Sequence, residues 1–469
     1  MVQTYGAAPA EEREDLPPTG GIAGTGEGDA LLGAEASARR SKRDGHATLS
    51  SSVGNLANTI IGSGMLTFPL ALASAGIIPG MITCVFSGCV AGFGLYLLSI
   101  CAVKAPHRRA SFFAVSELTF PRAAVFFDAA IAIKCFGVSI SYLIIVKSLL
   151  PNVVAALYHD LSSSEPPAWA LSGRVWITII MGILFPLSFL RKIDSLRHTS
   201  YVALFSVAYL VVVVVICYFF PIKGTQAPGE IHLIHFTPNF VSTFPVQVFA
   251  FTCAQNIFPI FNEISSNTQA RMNIVIGTSI GSAVLIYEII AVFGYLTFGS
   301  KVGANIIAMY PSTSLFIAVG QLAIAVLVMF SYPLQVHPCR NCLDKVIHLG
   351  HVLKPAGEEE VDDGHGENAD MSTFKHAFLT IVIVISGFTI AFFVDNLQMV
   401  LSFVGSTGST TISFILPGLF YWKLSHSDPS SNKTMSRAAL ALAIYGICIF
   451  IFCLSFNIYQ VVRPSQSVH

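Results

Sequence analysis

Two short stretches of the 469-residue chain put polar and conformationally permissive residues inside long apolar runs. The first reads Asn58-Thr59-Ile60-Ile61-Gly62-Ser63-Gly64-Met65, with Pro69 behind it. Glycine loses the most entropy when held in a helix, so Gly62-Ser63-Gly64 favours an unwound turn. If a helix restarts near Met65, the N–H groups of Gly62 to Met65 have no intrahelical acceptors and lie at the positive end of the new half-helix. That arrangement suits a carboxylate. The same small residues also suit close packing between helices, and both readings stand for this stretch alone. The second stretch reads Phe251-Thr252-Cys253-Ala254-Gln255-Asn256, followed by Pro259. Proline cannot donate to the carbonyl at position 255. A carbonyl freed in this way can accept from an ammonium group or hold a cation.

Other residues at membrane depth carry charge or hydroxyls. Lys134 lies twelve residues past Arg122, roughly 18 Å in at about 1.5 Å per residue. Glu288 is similarly deep in its own run. An intramembrane charge calls for a partner or a function, and matched depth makes Lys134 and Glu288 candidates for an ion pair or for proton loading. Asp128 and Lys147 are expected to snorkel towards the interfaces, and Asp395 to be solvated at a helix end. Tyr142 is a candidate to line a site, with plain packing as the alternative. Gly405-Ser406-Thr407-Gly408-Ser409-Thr410 lacks the lysine of a phosphate-binding loop and reads as small-residue packing or a hydroxyl wall. Cys339-x-x-Cys342, with His337, His348 and His351 nearby, offers zinc-type ligands, but the plainer reading is a helix end with incidental thiols. No metal site is expected.

Composition defines the elements that must hold these residues. Hydrophobic residues make up 54% of the chain and charged residues 11%, against about 25% charged in a soluble domain. Mean hydropathy is +0.69. So few charges cannot cover a water-soluble surface, whereas lipid can solvate such a chain. Equal numbers of basic and acidic residues, 26 of each, leave no net basic charge for a nucleic-acid partner. Paired catalytic acids, a metal-binding His motif and a nucleophile–base spacing are missing at membrane depth, so an enzyme is not expected.

Eleven runs reach spanning length, near 50–74, 78–103, 123–150, 174–190, 199–220, 243–264, 273–298, 313–336, 374–394, 397–422 and 438–461. The chain is therefore predicted to be an all-α integral membrane protein with about eleven transmembrane helices over 49–462. A disordered tail over 1–48 and a loop over 337–373, carrying the acidic run Glu358 to Asp363, complete the organisation. With the tail in the cytoplasm, cytoplasmic segments hold nineteen of the Lys and Arg residues; the other face holds Arg174, Lys223, Lys301 and Arg463. That bias puts the N-terminus in the cytoplasm and the C-terminus on the other side. The sequon Asn432-Lys433-Thr434 then falls on the cytoplasmic side and should carry no glycan.

Two interrupted spans, the first and the sixth, in corresponding places of two halves point to an inverted-repeat transporter. The stretches Asn55 to Gly64, Phe249 to Glu263, Phe293 to Gly299 and Ser331 to Pro338 resemble the amino acid/auxin permease family, over about residues 48–460. Within it the chain is similar to fungal vacuolar amino acid transporters of the Avt type and to animal sodium-coupled neutral amino acid transporters. The resemblance implies a leucine-transporter-like 5+5 inverted repeat, with repeats over about 50–220 and 243–422 and an extra helix over 438–461. It implies an amino acid held between the broken helices 1 and 6. Gly62, Ser63 and Gly64 would meet its carboxylate, and backbone at Cys253 and Gln255 its amine. Asn58 and Ser331 match positions that coordinate sodium in the sodium-coupled relatives. Ala254 stands where the family often has His, and Lys147-Ser148 where it tends to have Gly-Asp, so the coupling ion is proton or sodium; no other cofactor is expected. The expected function is proton-coupled amino acid transport from vacuolar lumen to cytosol. The alternatives are a sodium-coupled plasma-membrane transporter or an amino acid-sensing receptor. Oligomeric state is not legible.

Overall fold

The computed structural model describes residues 45, 47–105, 108, 110–121, 124–161, 166–190, 199–311, 313–352, 371–427 and 431–463. The expected N-terminal tail up to residue 44 and the acidic run Glu358 to Asp363 lie outside the described residues. In chain order the helices are α1 (Leu49–Ile60), α2 (Phe68–Ala75), α3 (Ile77–Lys104), α4 (Phe112–Thr119), α5 (Ala124–Leu161), α6 (Gly173–Ser188), α7 (Thr199–Phe219) and α8 (Phe240–Ala250). They continue with α9 (Ile257–Glu263), α10 (Gln269–Phe298), α11 (Leu315–Val352), α12 (Thr373–Phe393), α13 (Leu397–Val404), α14 (Leu416–His426) and α15 (Lys433–Val462). No strand occurs among the described residues; the one isolated bridge is Ala47 with Ile264.

Nine of the described helical segments are long and apolar enough to cross a membrane; the pair α1–α2, bent by 46°, makes a tenth. The segment expected over 174–190 is the shorter apolar helix α6. Local chemistry sets several starts. Thr48 Oγ1 accepts from Ser51 N at 3.2 Å to cap α1, and Asn396 Oδ1 accepts from Met399 N at 2.9 Å to cap α13. Asn432 of the sequon caps α15 through Thr434 N at 3.0 Å.

α5 and α11, each 38 residues long, form the most extensive helix–helix interface. Around it α5 also packs on α6, α12 and α13, while α10 packs on α1, α2, α3 and α7. The loop expected from residue 337 begins later, because α11 continues to Val352. Arg340, expected in that loop, is 1% exposed. It donates to Ser188 O at the end of α6 (3.0 Å) and to Thr380 Oγ1 on α12 (2.9 Å). Such a buried cation at a helix C-terminus satisfies carbonyls that have no intrahelical partner. The thiol of Cys339 donates to Ala132 O at 3.5 Å in the α5–α11 interface.

Lys147 reaches the end of α12, and Asp395, exposed there, is its ion-pair partner. Lys147, 9% exposed, donates to Ala391 O and Phe392 O at 3.0 and 2.9 Å and pairs with the largely exposed Asp395 at 2.5 Å. It thus closes the C-terminus of α12. Asp128 is buried too, with Cys342 and Lys345 of α11 beside it.

Two sets of hydrogen bonds clasp the ends of the bundle. At one end Ala47 bonds to Glu263 O and Ser265 N (3.0 and 2.9 Å), Arg108 donates to Asn262 O and Ile264 O, and the Asn262 side chain pairs with the backbone of Ala110. At the other end the segment His232 to Thr237 bonds to Ser74, Ala75 and Ile77 at the α2–α3 corner, with His232 and His235 stacked at 4.5 Å. Between α10 and α11, Ala304 O accepts from Thr67 at 2.9 Å, while Asn305 donates to Ser148 of α5 at 3.0 Å.

Candidate functional site

The two polar stretches do interrupt their helices. After Ile60 the chain leaves helical geometry, Gly62 is extended (φ −135°, ψ −152°), and a tight turn over Ser63–Thr67 leads into α2 with Pro69 in its first turn. In the second, α8 ends at Ala250, and residues 251–253 are non-helical before a short turn Ala254–Asn256 enters α9. Pro259 lies in the first turn of α9, where its missing N–H is tolerated.

The interruptions are tied together. Asn256 Nδ2 donates to Thr59 Oγ1 at 2.6 Å. Tyr287 of α10, fully buried, shares its hydroxyl proton between Ile60 O (2.6 Å) and Ala250 O (3.0 Å), the last carbonyls of α1 and α8. Its ring stacks on Phe68 at 4.5 Å and meets Phe251 edge-on at 5.1 Å. Sequence reading passed over Tyr287. The available signal was a tyrosine in a run where phenylalanine would be cheaper to bury, since a buried phenol needs a partner.

The three small residues of the first break have different roles. A Cβ on Gly64 would lie 2.6 Å from Ala250 Cβ and 2.8 Å from its Cα, so this glycine serves close packing against α8. A Cβ on Gly62 would meet only Ile60 O at 3.9 Å, so Gly62 borders open space. Ser63 is buried and its hydroxyl has no hydrogen-bond partner among the described residues; Gln255 Oε1 in the second break, Ser409 Oγ and the Tyr332 hydroxyl of α11 are likewise buried atoms without one. Native proteins rarely leave such atoms unmatched. Cys253 is fully buried in the second break.

Span 10 carries two π-helical turns, Gly405–Ser409 and Thr411–Ile415, between α13 and α14. Such turns often mark functional sites. They pack against α5 and α8. Ser413 Oγ lies 3.4 Å from Thr252 Oγ1, which joins span 10 to the second break.

The remaining candidates separate. Tyr142 is buried on α5 with Gln335 of α11 beside its hydroxyl. Ser331 donates to Leu327 O of its own helix at 2.8 Å. Asn58 is half-buried on α1 and has a partner of its own. Lys134 and Glu288 form no ion pair with each other. Both carboxylate oxygens of Glu288 are buried, with the thiol of Cys84 on α3 beside them. The backbone of Lys134 on α5 packs against Gly408 in the first π-helical turn, where an added Cβ would lie 2.7 Å from Lys134 Cβ.

A family model described as transmembrane amino acid transporter protein matches residues 45–463. The chain is 45% identical over 425 residues to vacuolar amino acid transporter 5 of Schizosaccharomyces pombe, covering 88% of this chain and 95% of that protein. It is 34% identical over 452 residues to vacuolar amino acid transporter 6 of Saccharomyces cerevisiae, covering 87% and 98%.

Proposed function

We propose a mechanism for a chain that belongs to the transmembrane amino acid transporter protein family: export of amino acids from vacuolar lumen to cytosol by proton-coupled alternating access. The protein is a membrane amino acid transporter, not an enzyme. We place it in the vacuolar membrane with eleven spans in a 5+5 inverted repeat plus one helix, its N-terminus cytoplasmic and its C-terminus luminal.

The observation that carries this reading is the meeting of the two breaks, pinned by Tyr287 and by Asn256 to Thr59. The extended backbone at Gly62 and the buried Ser63 hydroxyl receive the substrate carboxylate, and carbonyls near Cys253 and Gln255 receive its amine. In this state both ends of the interrupted helices are clasped. The Ala47, Arg108 and Asn262 bonds close the cytoplasmic end of α9, and the His232 to Thr237 segment closes the luminal end of α2. Releasing one clasp at a time gives alternating access.

Glu288 carries the coupling proton. Its buried carboxylate, beside the Cys84 thiol, follows Tyr287 directly in α10, so a change in its charge acts next to the residue that holds both breaks. A charged carboxylate there is costly and a protonated one is not.

Radiolabelled amino acid flux in proteoliposomes, under an imposed proton gradient with and without sodium, tests the proposal. Flux that follows the proton gradient and ignores sodium supports it. A requirement for sodium moves the coupling to the Asn58 and Ser331 region and overturns the proton assignment. Binding without flux, where a reference transporter works in the same vesicles, overturns transport in favour of a receptor.

A further inference from the structure

The buried face of α15 is built from small and aliphatic residues, from Ala439 through Gly446 to Cys453, and ends in one amide, Asn457. The opposite face, with Ile444, Ile451 and Tyr459, is exposed and suits lipid. An amide inside a membrane bundle must find its hydrogen bonds within the protein, since lipid offers none. Asn457, 3% exposed, finds them on span 10. Its Oδ1 accepts from Ser402 Oγ at 3.0 Å, and its Nδ2 makes a longer bond of 3.5 Å to Ser406 Oγ. Ser406 Oγ in turn donates to Phe403 O at 3.2 Å.

These two serines bracket the entry into the first π-helical turn. Ser402 lies in the last turn of α13, and Ser406 lies inside Gly405–Ser409. On its other sides the turn is held by close packing: a side chain at Gly405 would collide with Pro245 O of α8, and one at Gly408 would lie 2.6 Å from Ala130 O of α5. Only the α15 side adds directional bonds from an amide. A π turn holds about one residue more than the α turn it replaces, and each residue of an α-helix turns by about 100°. Relaxing the π turn to α geometry would therefore rotate the rest of span 10 by about 100° relative to α13. Ser413 Oγ, now 3.4 Å from Thr252 Oγ1, would leave the second break.

Resting on the reading that the two breaks bind the amino acid, we propose that Asn457 is a positioning residue for the substrate site. From a helix outside both repeats, it fixes the π register of span 10 and so keeps Ser413 on Thr252, next to the backbone that receives the substrate amine.

The test uses the full-length protein in proteoliposomes, with the amino acid that wild type takes up fastest among the common twenty as the radiolabelled probe. Asn457→Leu should raise KM about tenfold, the scale of one or two neutral hydrogen bonds, with the maximal rate little changed. Ser402→Ala with Ser406→Ala removes the same bonds from the other side and should do the same. Adding Asn457→Leu to that pair should cost nothing more, because the three groups act as one unit. Gly418→Ala is the packing control: its Cβ would lie 2.8 Å from Ala443 N in the α14–α15 contact, beyond both π turns. It should lower the thermal midpoint and leave KM alone. In a chain whose other cysteines are replaced by alanine, Thr252→Cys with Ser413→Cys should cross-link on mild oxidation by copper phenanthroline, and Asn457→Leu should slow that reaction severalfold.

A wild-type KM in both Asn457→Leu and the double serine variant overturns the assignment. A KM shift that Gly418→Ala reproduces at the same loss of midpoint also overturns it, as does cross-linking that Asn457→Leu leaves at its original rate. Wild type that moves no amino acid sinks the transport reading instead, and the cross-linking rate then still decides whether Asn457 sets the register.

Discussion

Gly62 and Gly64 are two residues apart in one break, yet the same substitution should affect them in opposite ways. In Gly64→Ala the new methyl arrives 2.6 Å from Ala250 Cβ and 2.8 Å from its Cα. Carbon atoms prefer about 3.5–4.0 Å, so the turn and α8 must separate by roughly 1 Å, and Ala250 Cα is backbone that cannot rotate aside. Overpacking of this kind costs about 1–3 kcal/mol. At about 2.1 cal/mol/K of unfolding entropy per residue, a chain of this length shifts by about 1 °C per kcal/mol, so the thermal midpoint in detergent should fall by about 1–3 °C. Adding Ala250→Gly removes one of the two clashing atoms and should recover part of the loss, since neighbouring sites couple. In Gly62→Ala the nearest atom is Ile60 O at 3.9 Å, and the extended backbone accepts any side chain. Its midpoint should match wild type. Its methyl, however, enters the space assigned to the substrate carboxylate, so the KM for uptake should rise about tenfold or more, a loss of about 1.4 kcal/mol. Midpoints by fluorescence-detected size exclusion and flux in proteoliposomes separate the two effects. A Gly62→Ala protein as destabilised as Gly64→Ala, or one with wild-type KM, refutes the division of roles.

Tyr287→Phe keeps the ring contacts with Phe68 and Phe251 but leaves Ile60 O and Ala250 O without their shared donor. It should cost about 1–3 kcal/mol and impair flux, and an unchanged midpoint with normal flux contradicts the pin. Lys147→Met should destabilise far more than Asp395→Asn, because Lys147 is buried against several carbonyls whereas Asp395 is exposed and exposed pairs contribute about 0–1 kcal/mol; equal midpoints would argue against the capping role. Asn262→Ala removes both side-chain bonds to Ala110. In a chain whose other cysteines are replaced by alanine, it should speed labelling of Cys253 by a thiol reagent from the cytoplasmic side, and an unchanged rate would mean that this clasp does not gate access.

The breaks were legible because glycine and proline punctuate apolar runs in a way few other residues do. What bound the breaks together was not legible. Tyr287 lies 227 positions from Ile60, and its partners are carbonyls, which leave no trace in residue type. The pairing of Lys147 with Asp395 was hidden for the same reason: each reads as a separate interfacial charge, and the fold joins them. The end of α11 was misplaced because Pro338, Cys339 and Arg340 have the composition of a loop. The carbonyl of Ser188 and the hydroxyl of Thr380 are among the groups that hold that arginine within the bundle. The π-helical turns follow from backbone geometry that a run of Ser, Thr and Gly permits but does not specify.

The connection between α10 (ending at Phe298) and α11 (starting at Leu315) has a mechanical consequence. α10 is bonded to α1 at two levels, through Ser279 to Val53 O (3.1 Å) and Tyr287 to Ile60 O, and to α8 through Ala250 O. If α1 and α8 rock, α10 must travel with them as one body. Ala304 is moored to that body through Thr67, whereas its neighbour Asn305 is moored to α5 through Ser148. The slip plane of the transport cycle would then cross the chain at a single peptide bond. Shortening or stiffening the connection there would slow turnover without touching the substrate, and lengthening it would uncouple the two bodies.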